Sequence, residues 1–500
     1  MALNLARATK LFVSTVQSAT AGSHSSSNTW EIPPLDGYSF SQDPETQTIT
    51  LNEAGQKPVR GQKLFNVALN PAEISFTTYV RPYDDGGTAV SCVELPLWEA
   101  LVGDGTSPSI TTATVGTNVK YNATGDYLEA NFKNSNKHEL LKIYLFFQLD
   151  NTTYRINDFA INSAEFDFSI DGIAQVTWTG QGATITEVDT STWVATTNYL
   201  AANGIANNSN NALFIKNKLS SIALSKVTGL TSGYAAQQYT TAVNANNLAN
   251  LDGASTYTVQ VAVDGGSAQT VTIDSSTGYW NGATVTAGDI IAEMNYQLTG
   301  CVVYVGTTGT EAGHLIFKST NAGTASIIDV TAGATDLLGV LEAGNTKSTL
   351  DETNGTGTGT PTIFNVPITG GTLTIENNVT YLTPEELGTV NTPIGSFTGT
   401  RSISGSVTAY LNTGATNTSG LLADLLADTD EVTQEFIMTM SMGGASNETR
   451  VDFVMNHAAL VIPSISVEDV LSTEIGFTAL GENIDLADEL VVRYYAEAQA

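Results

Sequence analysis

Alternation of apolar and polar positions runs through most of the chain, and it marks strands far more often than helices. Ile74-Ser-Phe-Thr-Thr-Tyr-Val80, Val176-Thr-Trp-Thr-Gly-Gln-Gly182 and Gly405-Ser-Val-Thr-Ala-Tyr-Leu411 follow the period of two expected for half-buried strands. Apolar runs at Leu140 to Leu149 and Glu435 to Met442 read as more deeply buried strands. Helical spacing is confined to short stretches: Leu95-Pro-Leu-Trp-Glu-Ala-Leu-Val102, Gly420-Leu-Leu-Ala-Asp-Leu-Leu426 and Ala287 to Leu298, the last opened by Thr286. The pattern predicts a mainly β protein with a few flanking helices.

These blocks recur in order. Ile74–Val80 matches Gly405–Leu411, and each is followed by one of the short helices. The runs at 140–149 and 435–442 come next, leading to Tyr154-Arg-Ile-Asn-Asp-Phe-Ala-Ile161 and Thr449-Arg-Val-Asp-Phe-Val-Met455, and then to Val176–Gly182 and Ile475–Gly481. Upstream, Lys10-Leu-Phe-Val-Ser-Thr-Val16 resembles Lys218-Leu-Ser-Ser-Ile-Ala-Leu224, and Trp30-Glu-Ile-Pro-Pro resembles Phe364-Asn-Val-Pro-Ile. The order implies an internal duplication. It divides the chain into a first module at 1–195, a linker and opening strand of the second at 196–228, an inserted segment at 229–360, and the remainder of the second module at 361–500. The insertion falls where the first copy has only a loop, and loops are where chains best tolerate insertion.

The inserted segment has a grammar of its own. Tyr257–Val263 and Thr270–Asp274 form a strand pair joined through Asp264-Gly-Gly, followed by the helix, whose Ile290, Ile291, Met294 and Leu298 share a face. Strands at Cys301–Val305, Gly313–Lys318 and Ile327–Val330 follow, before a close at Leu337-Leu338-Gly339. This order resembles the small domain inserted in flagellar hook-associated proteins and some phage tail proteins. The resemblance implies a surface-displayed module; the alternative is a decoration with no binding role.

Charge narrows the choice of function. Lys and Arg total 19 against 50 Asp plus Glu, a net charge of −31, with only 14% of residues charged. Tight nucleic-acid binding needs clustered cations to neutralise phosphates, so the composition argues against it. A conduit through which a polyanion slides is compatible with the same balance, since like charges repel. No apolar run approaches the ~20 residues of a membrane-spanning helix and none marks a signal peptide, so the expectation is a soluble chain made in the host cytoplasm, with no membrane partner.

Candidate chemistry is sparse. Cys92 and Cys301 fall in different modules and outside any CxxC or Cys/His cluster, so neither a disulfide framework nor a zinc site is expected. His24, His138, His314 and His457 lack ligand spacing. Asp84-Asp85-Gly-Gly and Asp428-Thr-Asp-Glu431 could suggest calcium, but read more simply as a hairpin turn and an acidic loop after a helix. Gly355-Thr-Gly-Thr-Gly359 and Gly370-Gly371 lack the Lys-Ser/Thr of a phosphate loop. Arg155 and Arg450, taken as equivalent, are candidates for a salt bridge between subunits. Tyr144, Phe146, Phe147, Phe166, Phe168 and Trp178 are expected in the core. No catalytic, cofactor-binding or metal-binding residue is assigned, and the chain is not expected to be an enzyme or to carry a cofactor.

One family likeness emerges from these blocks. Thr369-Gly-Gly-Thr-Leu-Thr-Ile-Glu-Asn-Asn-Val-Thr-Tyr-Leu-Thr-Pro-Glu-Glu386, the segment from Gly395 to Tyr410, and Ile74–Pro82 leading into Glu94–Leu101 resemble the major tail tube proteins of long-tailed phages. The resemblance implies two tandem β-sandwich or barrel modules, each with a flanking helix, whose strands join across subunits into a tube-lining barrel. The duplicated type implies trimeric, pseudo-sixfold rings stacked into a conduit for genome ejection in the virion tail. It implies self-contacts, contacts to tape measure, terminator and baseplate or tip proteins, and genomic DNA in transit. The inserted segment favours a non-contractile tail, because a sheath would leave it little room. Rival readings are a filamentous adhesin or flagellin-like protein, which would want terminal heptad helices that Met1–Ala21 and Ala479–Ala500 lack, and a carbohydrate-active β-sandwich enzyme, which would need a carboxylate pair in a cleft.

Overall fold

The computed structural model describes residues 9–496 except 19–22, 25–27, 50–62, 85–89, 103–118, 122–126, 133–139, 150–151, 189–213, 227–232, 239–254, 276–279, 281–284, 299, 308–311, 321–322, 342–345, 348–352, 356–361, 384–391, 428–434, 445–448, 462–463, 467–470 and 482–488. His138, the tip after Asp84 and the stretch Asp428 to Glu431 lie outside the described residues. The protein is mainly β, as its alternation predicts.

Two sets of strands are hydrogen-bonded in the same order. In the first, Thr29–Ile32 pairs with Thr9–Ser14, which pairs with Ile143–Leu149, which pairs with the 16-residue strand Thr152–Asp167. That strand pairs with Gln175–Gly182, which pairs with Ala72–Tyr79. In the second, Thr362–Phe364, Ser221–Lys226, Glu435–Gly443, Arg450–Leu460, Ser472–Leu480 and Ser402–Tyr410 follow the same sequence of neighbours. Registers agree as well. Trp30, Val13, Leu145 and Ile156 form a cross-strand row, and so do Phe364, Leu224, Met438 and Met455. A bulge interrupts the pairing at Ile143/Leu145 and again at Phe436/Met438.

Register also corrects the residue-level alignment. Ile74 and Gly405 take matching register positions in the two sets, as do Trp30 and Phe364. Lys10 does not correspond to Lys218, which sits in the 3-10 turn Asn217–Leu219 ahead of its strand; Leu224 takes the place of Val13. Arg155 and Arg450 are not equivalent either. Arg155 lies across from Phe146 and Thr186, whereas Arg450 begins its strand beside Tyr495. The Arg155 slip is of four positions, and an even slip keeps apolar residues on the same side of a strand, so the period of two cannot expose it.

One layer runs through both sets. From Ser39–Ser41 it passes through Ala72–Tyr79, Gln175–Gly182, the end of Thr152–Asp167, Ile368–Glu376, Ser402–Tyr410 and Ser472–Leu480 to Ser464–Ser466. Its apolar face, with Ile74, Phe76, Phe166, Trp178, Leu373, Val407 and Phe477, packs into one core with the flanking strands' Leu11, Val13, Phe147, Phe436 and Met440. The helices Leu95–Val102 and Thr418–Ala427 contribute Trp98, Leu101, Leu421 and Leu425 to that core. Of the predicted aromatic cluster, Phe147, Phe166, Phe168 and Trp178 join it, while Phe146 packs separately with Phe12 and Val188, against Tyr144. Gly371 is required by close strand approach, because a Cβ there would collide with the Ser406 carbonyl.

A second core has no member in common with the first. Its residues lie between Ala235 and Leu341. They come from the strands Cys301–Val305, Leu315–Ser319 and Tyr234–Gln238 of one sheet, whose far strand is Thr346–Lys347, from a sheet of Gln269–Asp274, Thr256–Val263 and Ile328–Ala332, and from the helices Ala287–Gln297 and Leu337–Leu341. The Asp264-Gly265 turn takes the left-handed backbone its sequence predicts, with φ of 53° and 73°. Thr286 and Asp289 close a capping box at the helix start.

Candidate assembly surfaces

The two strand sets meet at a joint made by backbone pairing. Ser163–Asp167 pairs with Thr372–Glu376, so the long strand of the first set gains a neighbour from the second. Asn162, at a bulge in that strand, organises the crossing. Its carbonyl accepts the Asn377 N–H at 2.8 Å, its Oδ1 accepts the Val379 N–H at 2.6 Å, and its Nδ2 donates to Glu376 Oε1 at 3.4 Å. The hairpin Val379–Leu382/Gly395–Thr398 then lies along the first set, burying Val379 and Tyr381 against Ala160, Ala183 and Leu140. The Tyr381 hydroxyl donates to the Asp158 carbonyl, and burial, with Asp158 nearby, pushes its phenol well above the ordinary range.

A second contact reinforces the joint. Leu128–Asn131 pairs with Val491–Tyr495, and Arg493 meets buried Glu129 at 3.2 Å. Burial opposes the Arg493 charge, but Glu129 together with Tyr127 and Tyr495 more than restores it, so that cation is held above its usual range. Beneath the strands, Trp98 Nε1 donates to Tyr494 Oη at 2.6 Å. Glu94 is fully buried near Arg81, Cys92 and Tyr494; burial raises its carboxyl to about 7, opposed by the Arg81 charge, and its Oε1 accepts the Arg81 N–H at 3.0 Å.

The first set carries the counterpart of the docked hairpin, and there it is exposed. Ser39 lies opposite Ser75 as Thr372 lies opposite Ser406, and the chain continues into the hairpin Pro44–Ile49/Lys63–Leu69. Ile49, Leu64 and Phe65 on this arm are 40%, 58% and 49% exposed. The second set carries the counterpart of the receiving edge. Among the described residues Ser464–Ser466 pairs only with Ser472–Leu480, and Val461, at the bulge position that Asn162 holds in the first set, is 61% exposed. An arm therefore extends from one set, and an open edge of the kind that fits it is left on the other.

The single residues singled out in the sequence go elsewhere. Arg450 is engaged within the chain, with Asp452 at 3.1 Å and its guanidinium over the Tyr495 ring, and Arg155 donates to the Gln17 carbonyl at 2.7 Å. His24 is buried between Ser14, Thr29 and the Ser18 carbonyl, and burial lowers its pKa. Cys92 and Cys301 are buried and form no disulfide. Among the described residues no group of His, Cys, Asp and Glu is arranged to hold a metal ion, and no helix is long and apolar enough to cross a membrane. The joint was absent from the sequence reading, because Asn162 and Val379 are distant in the chain and neither carries a motif.

No family model matches the chain. It is 28% identical over 492 residues to the tail tube protein pb6 of Escherichia phage T5, an alignment covering 98% of this chain and 75% of that protein.

Proposed function

We propose that this chain, a homologue of a phage tail tube protein and so a structural component of the virion tail, builds its tube from stacked rings of three copies. Each copy supplies two modules of one design, residues 1–195 and residues 196–228 with 361–500, and displays residues 229–360 as a surface domain. The shared pairing order and matched registers of the two strand sets support the duplication. The separate core between Ala235 and Leu341 supports the insertion.

One observation carries the ring. The joint between Ser163–Asp167 and Thr372–Glu376, with its docked hairpin, has its two halves repeated in unoccupied form at opposite ends of the chain. The strand pair Pro44–Ile49/Lys63–Leu69 of one copy then docks on the Ser464–Ser466 edge of the next, as the second module's hairpin docks on the first module. Such a contact is heterologous and propagates head to tail until rotation closes it. Closure also removes the open sheet edges that would otherwise aggregate. With two modules per chain and the pseudo-sixfold symmetry of the duplicated tube proteins that the sequence resembles, the ring holds three chains.

The tube's work is passive. It conducts the genome during ejection, performs no catalysis, and meets tape measure, terminator and baseplate or tip proteins at its core and ends. The displayed domain fits a non-contractile tail. Negative-stain microscopy with particle mass on the purified protein tests the reading. Tubes or rings of three chains are expected. Six chains per ring would overturn the duplication while keeping the tube, and a stable monomer at high concentration would overturn the assembly.

A further inference from the structure

The two halves of the joint recur at the ends of the chain, but their chemistry does not. Val379 opens the docked hairpin opposite Thr398, and the carbonyl of the preceding Asn378 accepts the Gly399 N–H at 2.9 Å. Pro44 opens the arm in the same way, opposite Leu69, with the Asp43 carbonyl accepting the Asn70 N–H at 3.1 Å. Pro44 therefore stands where Val379 stands. A proline has no N–H, so the arm lacks the donor that Val379 gives to Asn162 Oδ1. The acceptor is missing from the other side as well. Leu460 pairs with Phe477 as Ile161 pairs with Gly180, and the next residue is Val461 in one set and Asn162 in the other. Both members of the hydrogen bond are absent together.

Size changes in the same coordinated way. Tyr381, next after Val379 on its side of the hairpin, packs against Ala160 and Ala183. The arm carries the exposed Thr46 at that position, next after Pro44. On the receiving edge of the second set, Ala459 pairs with Thr478 as Ala160 pairs with Gln181, and Leu480 follows Phe477 at the spacing at which Ala183 follows Gly180. A large side chain over a small one within the chain becomes a small one over a large one at the free surfaces.

We propose, resting on the reading that the arm docks on the next copy, that these positions make the two joints non-interchangeable. Asn162 with Val379 and Ala183 with Tyr381 hold the modules of one chain together, whereas Val461 with Pro44 and Leu480 with Thr46 join one copy to the next. An arm placed on the first set's edge leaves Asn162 Oδ1 without its backbone donor. A second-set hairpin placed on Ser464–Ser466 buries the Val379 N–H against Val461 and presses Tyr381 into Leu480. Unmatched buried polar groups and overfilled contacts both penalise the wrong partner, and discrimination is the difference between right and wrong pairings. The arm of a neighbouring copy is thereby kept from displacing a chain's own hairpin, and copies join head to tail.

Exchanging the matched pairs tests the proposal. Assembly of the full-length protein is followed by sedimentation over a range of concentrations, with the unfolding midpoint of each variant measured in parallel; Pro44, Thr46 and Val461 are exposed in the isolated chain, so their replacement is expected to leave that midpoint in place. Val461→Asn alone is expected to raise the concentration needed for rings about tenfold or more. Adding Pro44→Val is expected to restore wild-type assembly, since the pair then repeats Val379 and Asn162. Thr46→Tyr is expected to block rings, and Leu480→Ala to rescue them. Single variants that assemble like wild type, or pairs no better than the single variants, would overturn the matching. The two exchanges are independent, so a loss of folding in one leaves the other to decide. The arm variant Leu64→Asp/Phe65→Asp separates the two levels: if it blocks rings while the exchanges have no effect, the docking stands and the matching falls, whereas normal rings from it, or no rings from the wild-type protein, would overturn the docking itself.

Discussion

The Val379 N–H donates to Asn162 Oδ1 at 2.6 Å, and through that bond a side chain at a bulge in the first strand set fixes the start of a hairpin in the second. The Asn162 side chain is both acceptor and donor at the joint, because its amide also reaches Glu376. Asn162→Ala removes both bonds and leaves the buried Val379 N–H unmatched, which costs about 1–3 kcal/mol. Chemical denaturation followed by tryptophan fluorescence is expected to show that loss, with Asn162→Asp recovering the acceptor but not the bond to Glu376. An alanine variant as stable as wild type would show that the joint is held by backbone pairing alone.

The exposed arm separates folding from assembly. Leu64 and Phe65 are roughly half exposed in the isolated chain, and surface substitutions of this kind usually change stability by no more than about 0.5 kcal/mol. The double variant Leu64→Asp/Phe65→Asp is therefore expected to retain the wild-type unfolding midpoint while failing to form rings in sedimentation and microscopy. Normal tubes from this variant would show that the arm does not bury its apolar side on the neighbouring copy. The result would bear directly on head-to-tail closure, since the equivalent hairpin of the second set already buries Val379 and Tyr381.

What the sequence carried was local and periodic. The strands, the helix Leu95–Val102, the Thr286 cap and the left-handed turn at Asp264 all follow from residues within a few positions of each other. Equivalence of the blocks at Ile74 and Trp30 could also be read, because Pro and aromatic positions anchored them. The slip at Lys218 and the false match of Arg155 with Arg450 arose where similar side chains offered an alignment that only register could reject. The joint itself was hidden for a different reason. Sheet partners are chosen by long-range packing, and the strand Ile368–Glu376 looks the same whether its second neighbour is its own module or another.

Glu94 gives the fold a calculable pH response. Its folded-state value of about 7 lies above the ordinary 4.5, so the folded protein binds a proton more tightly than the unfolded chain does. A carboxyl raised in this way favours folding at low pH, and the advantage falls away as pH rises from 4.5 through 7. The 2.5-unit difference between those two values corresponds to on the order of 3 kcal/mol across the window. Glu94→Gln keeps an acceptor for the Arg81 N–H and cannot ionise. The stability difference between wild type and this variant, measured by denaturation at intervals from pH 4 to 8, is expected to drift steadily against the wild type as pH rises. A difference that stays constant across the range would mean that Glu94 is not the titrating group.

Edges are treated in opposite ways in the two parts of the molecule, and the displayed domain supplies the contrast. Gln297, at the end of the helix Ala287–Gln297, accepts the Thr272 N–H at 2.7 Å and donates to the Thr272 carbonyl at 2.9 Å. Asn295 does the same for Val303, at 2.6 and 2.7 Å. Each amide thus occupies backbone groups of a strand at the edge of its sheet, Gln269–Asp274 in one and Cys301–Val305 in the other. Blocked edges do not recruit further strands, so on the proposed tube these two edges would not join neighbouring domains, while the proposed arms and edges of the tube modules stay available to pair. Losing both bonds in Gln297→Ala costs about 1–3 kcal/mol, and it opens the edge at Thr272. The double variant Asn295→Ala/Gln297→Ala is expected to assemble tubes that bundle laterally, seen as paired filaments by microscopy and as added turbidity at constant tube length. Tubes that stay single, with the domain destabilised by the expected amount, would show that the two amides secure the helix and have no part in keeping neighbours apart.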